Sequence, residues 1–293
     1  PGYYCMFTHL GLVTALVMAN LVFLAVHGAF ANMNAAFLQW GWRIPFLISA
    51  VLVLVALYIR VHVEESPLFA KEATHKADVA PFAEALRRQG REVALAAGAV
   101  IGMFMLAFQV GTYFPNYAVN HLHYSENMIL LVGVVGGLCS VAFVAGSAIL
   151  SDTFGRRRVL SFGFVLALPW SLIVFPLIQS GHPLGYGIAV VFTYALIGIV
   201  MGPLAAFIPE IFPTRYRYTG AGVAYNFGGV IGGALPPVIS PILLSAYGDW
   251  SVAAMMAGFT LVSLVSVLLL TETAGRGLQS ISPAMGFARR AAA

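Results

Sequence analysis

From position 159 to position 209 the chain contains no Asp, Glu, Lys or Arg, and that run is only the longest of several. A helix needs roughly 20 mainly apolar residues to cross about 30 Å of hydrocarbon. By that measure the sequence offers eight spans, near 7–30, 43–60, 92–119, 127–150, 159–178, 185–207, 219–247 and 251–271. The turn Gln179-Ser180-Gly181-His182-Pro183 divides the long uncharged run into two of them. Backbone polar groups must be paired in lipid, so a spanning chain is helical or a closed barrel. Runs this long are too continuously apolar for the alternating strands of a barrel. The expected fold class is an all-α polytopic membrane protein.

Composition excludes the alternatives. Only 9% of the 293 residues are charged and 60% are hydrophobic, whereas an average soluble domain carries roughly 25% charged residues. So few charges cannot wet a globular surface. That rules out an ordinary cytosolic enzyme, a disordered protein and a nucleic-acid binder, despite a net charge of +4. Cys5 and Cys139 sit in apolar spans and read as buried packing, not as a disulfide. Pro1 is not an initiator residue and no basic stretch with a cleavage site follows it, so the first span is not expected to be a signal peptide. The chain has no H-E-x-x-H, no G-x-S-x-G, no phosphate-binding loop and no filter sequence, which argues against a membrane-embedded enzyme, an ATP-driven pump and a channel. Neither a cofactor nor a metal site is expected.

The few charges are sorted by side. Fourteen of the 15 Lys and Arg fall in the connections 60–91, 156–158 and 215–217 or after position 271; only Arg43 lies in the opposite set. Basic excess marks the cytoplasmic side. Both termini are therefore expected in the cytoplasm, in a multi-pass protein of the plasma membrane. The longest connection mixes signs from Glu64 to Arg91 and reads as an interfacial, partly helical linker.

Trp42 and Glu64 stand 22 residues apart around the second span, and Trp250 and Glu272 stand 22 apart around the last. A glycine-opened helix precedes each pair, at Gly2 and at Gly220. Spans one and two thus read as copies of spans seven and eight. The expected organisation is 1–61 as the last two helices of a first six-helix bundle, 62–91 as a cytoplasmic linker, 92–271 as a second bundle and 272–293 as a cytoplasmic tail. Two six-helix halves are a common carrier plan.

Ser151-Asp152-Thr153-Phe154-Gly155-Arg156-Arg157-Arg158 resembles the D-[RK]-x-G-R-[RK] loop of the major facilitator superfamily, in its copy between helices 8 and 9. Thr153 replaces the usual basic residue and Ala148 a usual glycine. Trp40-Gly41-Trp42-Arg43-Ile44-Pro45 with Glu64-Glu65-Ser66-Pro67 resembles the metabolite:H⁺ symporter branch, as does Pro209-Glu210-Ile211-Phe212-Pro213-Thr214-Arg215. Sugar porters carry a related E-x-F-P-T-R stretch, which leaves a sugar-porter-like carrier with different coupling as the alternative. The resemblance implies helices 5 to 12 of 12, and a monomer that moves a small organic acid or zwitterion together with protons by alternating access. It also implies a cytoplasmic gate at Asp152, Gly155, Arg156, Arg157, Glu210 and Arg215.

Substrate in such a carrier lies near the bilayer midplane, where polar side chains are costly and therefore suspect. On the third span Gln109, Thr112 and Asn116 fall at i, i+3 and i+7, with Tyr113 and Tyr117 at i+4 and i+8. That spacing predicts one polar stripe, with Pro115 kinking or unwinding the helix inside it. Tyr225 and Asn226 on the glycine-rich seventh span and Tyr194 on the sixth are further candidates. His9, Asn20 and His27 project from one face of the first span, and His9 is the candidate proton-coupling group. Every Asp and Glu lies at a helix end or in a loop.

Overall fold

The structure, a computed structural model, describes residues 2–30, 39–62 and 82–274. Among these, eight helices are long and apolar enough to cross a membrane. We number them α1 (Gly2–Ala29), α2 (Ile44–His62), α3 (82–120), α4 (Glu126–Phe154), α5 (Arg156–Gln179), α6 (Pro183–Ile211), α7 (214–247) and α8 (Asp249–Leu269). Most of the expected linker, the tail after 274 and the side chain of Arg215 lie outside the described residues.

The boundaries follow local chemistry. The Ser125 hydroxyl caps α4 by accepting from the Met128 amide at 3.4 Å. Pro183 opens α6, where its missing N–H costs nothing. Gly155 (φ +98°) and Gly248 (φ +77°) are the single residues that turn α4 into α5 and α7 into α8. Sequence placed a loop at 151–158. Instead the helical hydrogen bonding runs on to Phe154, so Asp152 ends one helix and Arg156 begins the next.

α3 and α7 each contain a π-helical turn, at Gln109–Tyr113 and at Val230–Ala234. Each turn stands just before a proline, Pro115 and Pro236. The expected kink at Pro115 thus takes the form of an inserted residue, a common way to accommodate a break in the i→i−4 ladder.

α3 and α6 are the most enclosed helices, and α1, α4, α5, α7 and α8 each pack against at least one of them. In lipid there is no hydrophobic drive between helices, so close backbone approach through small residues carries the packing. Gly228 and Gly232 of α7 lie against α3, whose Ile101 carbonyl is 2.2 Å from where a Gly232 Cβ would be. Ser263 of α8 accepts from the Gly102 amide at 2.7 Å and donates to the Gly98 carbonyl at 2.6 Å. Gly198 and Gly202 of α6 meet the α4 backbone, where Ser147 donates to the Gly198 carbonyl at 3.0 Å. α1 rests on α4 and α6, with Val17 over Gly137 and Asn20 over Gly133. α2 buries none of its residues among those described.

Candidate functional site

Polar chemistry gathers in three places. The first is the end of the bundle where α4 meets α5. Arg156 opens α5 with its side chain 3% exposed, and its Nε lies 2.7 Å from Glu210 Oε2 at the end of α6. Its Nη2 lies 3.5 Å from Asp152 Oδ1 at the end of α4. Glu272, just past α8, accepts from the backbone amides of Arg156 and Arg157, both at 3.0 Å. A carboxylate there meets the orphan amides and positive dipole end of α5. The Arg157 guanidinium also donates to the Leu268 carbonyl of α8. A Cβ on Gly155 would stand 2.7 Å from Glu272 Oε2, so close approach as well as positive φ selects glycine there. Four helix ends are thereby clamped together. Beside them, Tyr216 of α7 donates to Glu84 of α3 at 3.1 Å.

The second place is the opposite end. His27 of α1 pairs with Asn127 (2.9 Å) and Glu126 (3.4 Å) at the start of α4. Gln179 at the end of α5 donates to Asp249 at 2.7 Å and to the Tyr117 hydroxyl at 3.3 Å. A pocket of about 390 Å³ between α1, α3 and α4 is lined by Phe23, His27, Pro115, Asn116, Asn120 and Glu126.

The third lies deeper, where α1, α3 and α7 converge. The rings of His9 and Tyr225 have centroids 6.5 Å apart and planes inclined by 35°. Phe104 meets Tyr225 edge to face at 6.2 Å. His9 Nδ1 and the Tyr225 hydroxyl are both buried, and neither has a hydrogen-bond partner among the described residues. Leaving such a group unmade costs about 1–3 kcal/mol. Asn226, one residue on, is exposed and donates to the Gly222 carbonyl at 2.8 Å. With Gly222, Tyr225, Pro209 and Arg217 it lines an open groove of about 980 Å³ along the first half of α7.

The profile of the Major Facilitator Superfamily matches residues 6–237. The chain belongs to the major facilitator superfamily. It is 32% identical over 283 residues to the inner membrane metabolite transport protein YhjE of Escherichia coli, covering 94% of this chain and 63% of that protein. The proline/betaine transporter of E. coli is 30% identical over 268 residues, with 86% and 52% covered. The shikimate transporter of the same organism is 32% identical over 250 residues, with 81% and 56% covered. The chain thus spans between half and two thirds of the length of these relatives.

Within this superfamily member the expected stripe of α3 is divided. The π turn inserts a residue between Gln109 and Asn116, which rotates one away from the other. Gln109 is fully buried and donates to Ser240 of α7 at 2.7 Å, tying the two π-containing helices together. Tyr113 and Tyr117 are buried against Phe175 of α5. Thr112 and Asn116 remain exposed. Tyr194 also departs from expectation: its ring packs over Gly136 inside the α4–α6 contact and is 6% exposed. The face shared by His9, Asn20 and His27 divides as well, since Asn20 and His27 meet α4 while His9 turns to Tyr225.

Two participants escaped sequence reasoning. Glu272 drew notice only as a mark of the internal repeat, yet it is the carboxylate on the first turn of α5. Phe104 looked like one more apolar residue. Nothing local distinguishes either residue; each acquires its role from a helix far away in sequence.

Proposed function

We propose that the protein is a secondary transporter that carries a small polar metabolite, an organic acid or zwitterion, across the plasma membrane together with protons. The superfamily match and the transporters named among its relatives support this reading. The observation that carries it is the pair of unpartnered polar groups, His9 Nδ1 and the Tyr225 hydroxyl, brought together from α1 and α7. A membrane protein retains such groups at a cost, and a polar guest repays it.

In this reading α1 and α2 belong to a first helical bundle and 92–271 form a second, joined by a cytoplasmic linker. The positive-inside distribution puts the Arg156 end in the cytoplasm, with both termini on that side. Substrate enters between α1, α3 and α7, where His9, Thr112, Asn116, Tyr225 and Asn226 are the contact candidates. His9 takes the coupling proton, since no carboxylate among the described residues lies in the middle of a spanning helix. Asp152, Gly155, Arg156, Arg157 and Glu210, with Arg215, form the cytoplasmic gate region. The carrier works as a monomer and uses no cofactor.

The test is uptake by the intact protein in proteoliposomes with an imposed proton gradient, acidic outside. Labelled organic acids and zwitterions are offered in turn. At least one is expected to accumulate, and a protonophore is expected to abolish the accumulation. Accumulation that survives the protonophore would overturn proton coupling.

A further inference from the structure

We infer that His9 and Tyr225 form a carboxylate subsite whose charge is supplied by the transported proton, so that proton and substrate anion bind together or not at all. This rests on the transport reading above and deepens it.

The chemistry of the site points this way. The two unpartnered atoms belong to side chains from different helices, α1 and α7, facing one another with 6.5 Å between ring centres. Neither satisfies the other, and a carboxylate that reaches both atoms accepts from both. A phenol donates in its ordinary state. His9 Nδ1 donates only when it carries a proton, and the ring is cationic when both nitrogens are protonated. Charge-assisted hydrogen bonds to a carboxylate are about twice as strong as neutral ones. Phe104, edge to face with Tyr225, walls the phenol and fixes its direction.

The surroundings leave His9 as the source of positive charge. α7 presents Tyr225. Of α4 and α6, on which α1 rests, the spans carry Cys139 and Tyr194, with Tyr186 at the start of α6; α3 carries Tyr113 and Tyr117, and α2 and the turn before it, which also touch α1, carry Arg43, Tyr58, Arg60 and His62. The nearest arginines and carboxylates of these helices stand at their ends, in the Arg156 clamp and at Glu126. An isolated charge is costly in such a site. A bound carboxylate alone is equally costly. Together they form a neutralised pair. The proton arrives on His9 Nδ1 from the side on which substrate enters, crosses on that atom and leaves with the substrate on the other side; no bond of the substrate changes. The sign is definite: apparent affinity for a carboxylate rises as pH falls.

The experiment uses the intact carrier in weakly buffered detergent solution, with a pH dye reporting protons taken up when ligand is added. The probes are shikimate and glycine betaine, with their methyl esters as controls lacking the anion. At least one acid is expected to bind with net proton uptake while its ester binds without it. His9→Gln is expected to abolish the proton uptake and to weaken acid binding about tenfold or more. Tyr225→Phe is expected to weaken it about tenfold while keeping the uptake, which separates loss of one hydrogen bond from loss of the proton carrier. Both variants must elute as the wild type does on size exclusion; if His9→Gln does not, His9→Asn takes its place, with the same expected result. Acid binding without proton uptake, unchanged uptake in the His9 variant, equal proton uptake with the esters, or no binding of either acid would each overturn the inference. Proton-linked binding without uptake into proteoliposomes would instead leave the subsite standing and overturn the transport reading.

Discussion

Arg156→Ala is expected to cost about 3–5 kcal/mol of stability, the usual penalty for removing one partner of a buried ion pair. Arg156 is 3% exposed at its side chain and Glu210 12%, so the orphaned Glu210 carboxylate gains little solvent. The substitution also removes the guanidinium 3.5 Å from Asp152. Glu272 does not compensate, because it binds the backbone amides of Arg156 and Arg157, which the substitution leaves in place. Thermal unfolding of the detergent-purified protein, followed by the fraction remaining monodisperse, should show a melting temperature several degrees below wild type. Arg156→Ala,Glu210→Gln is expected to recover part of the loss, since it removes the unpaired charge. A melting temperature equal to wild type in the single variant would show that the clamp carries no energy.

Gly232→Ala is expected to be the most damaging single methyl that can be added to the α3–α7 contact. The new Cβ would stand 2.2 Å from the Ile101 carbonyl oxygen, which is backbone and cannot rotate aside. The helices must separate, and overpacking of this kind costs typically 1–3 kcal/mol and occasionally more. Separation would also stretch the 2.7 Å hydrogen bond from Gln109 to Ser240, a side-chain tie between the two π-containing helices. Gly258→Ala is the control, because nothing lies within 4 Å of that position. It is expected to be neutral or stabilising by up to about 1 kcal/mol, as glycine-to-alanine changes at compatible helical sites are. Equal melting temperatures for the two variants would contradict the close approach of α3 and α7.

Some of this organisation is written in local sequence and some is not. Eight spans are legible because each is a continuous apolar run of the length that hydrocarbon demands. The turn at Gly155 is legible because only glycine suits a reversal between two helices. The association of Asp152, Arg156 and Glu210 is partly legible, as opposite charges at adjoining helix ends. The polar stripe of α3 failed for a physical reason: a 100° periodicity presumes an unbroken helix, and one extra residue in a π turn shifts everything beyond it. The place of Tyr194 in the α4–α6 contact was not legible, because a tyrosine facing a cavity and one covering a glycine on the next helix carry the same local pattern. Glu272 was invisible because its partners, the amides of Arg156 and Arg157, lie more than a hundred residues upstream and are backbone atoms.

The claim that everything else depends on is that the face of α7 bearing Gly222, Tyr225 and Asn226 lines a water-filled path for solute, not the lipid. A Gly222→Cys protein in a Cys5→Ser,Cys139→Ser background tests it, since Gly222 has open space around it and makes no side-chain contact to lose. The measurement is the rate of labelling by a membrane-impermeant thiol reagent in inside-out and right-side-out vesicles, with and without the solute found to be taken up. Labelling from both sides, slowed several-fold by that solute, is the predicted result. A cysteine that stays unlabelled from both sides, or one whose labelling ignores the solute, would contradict it.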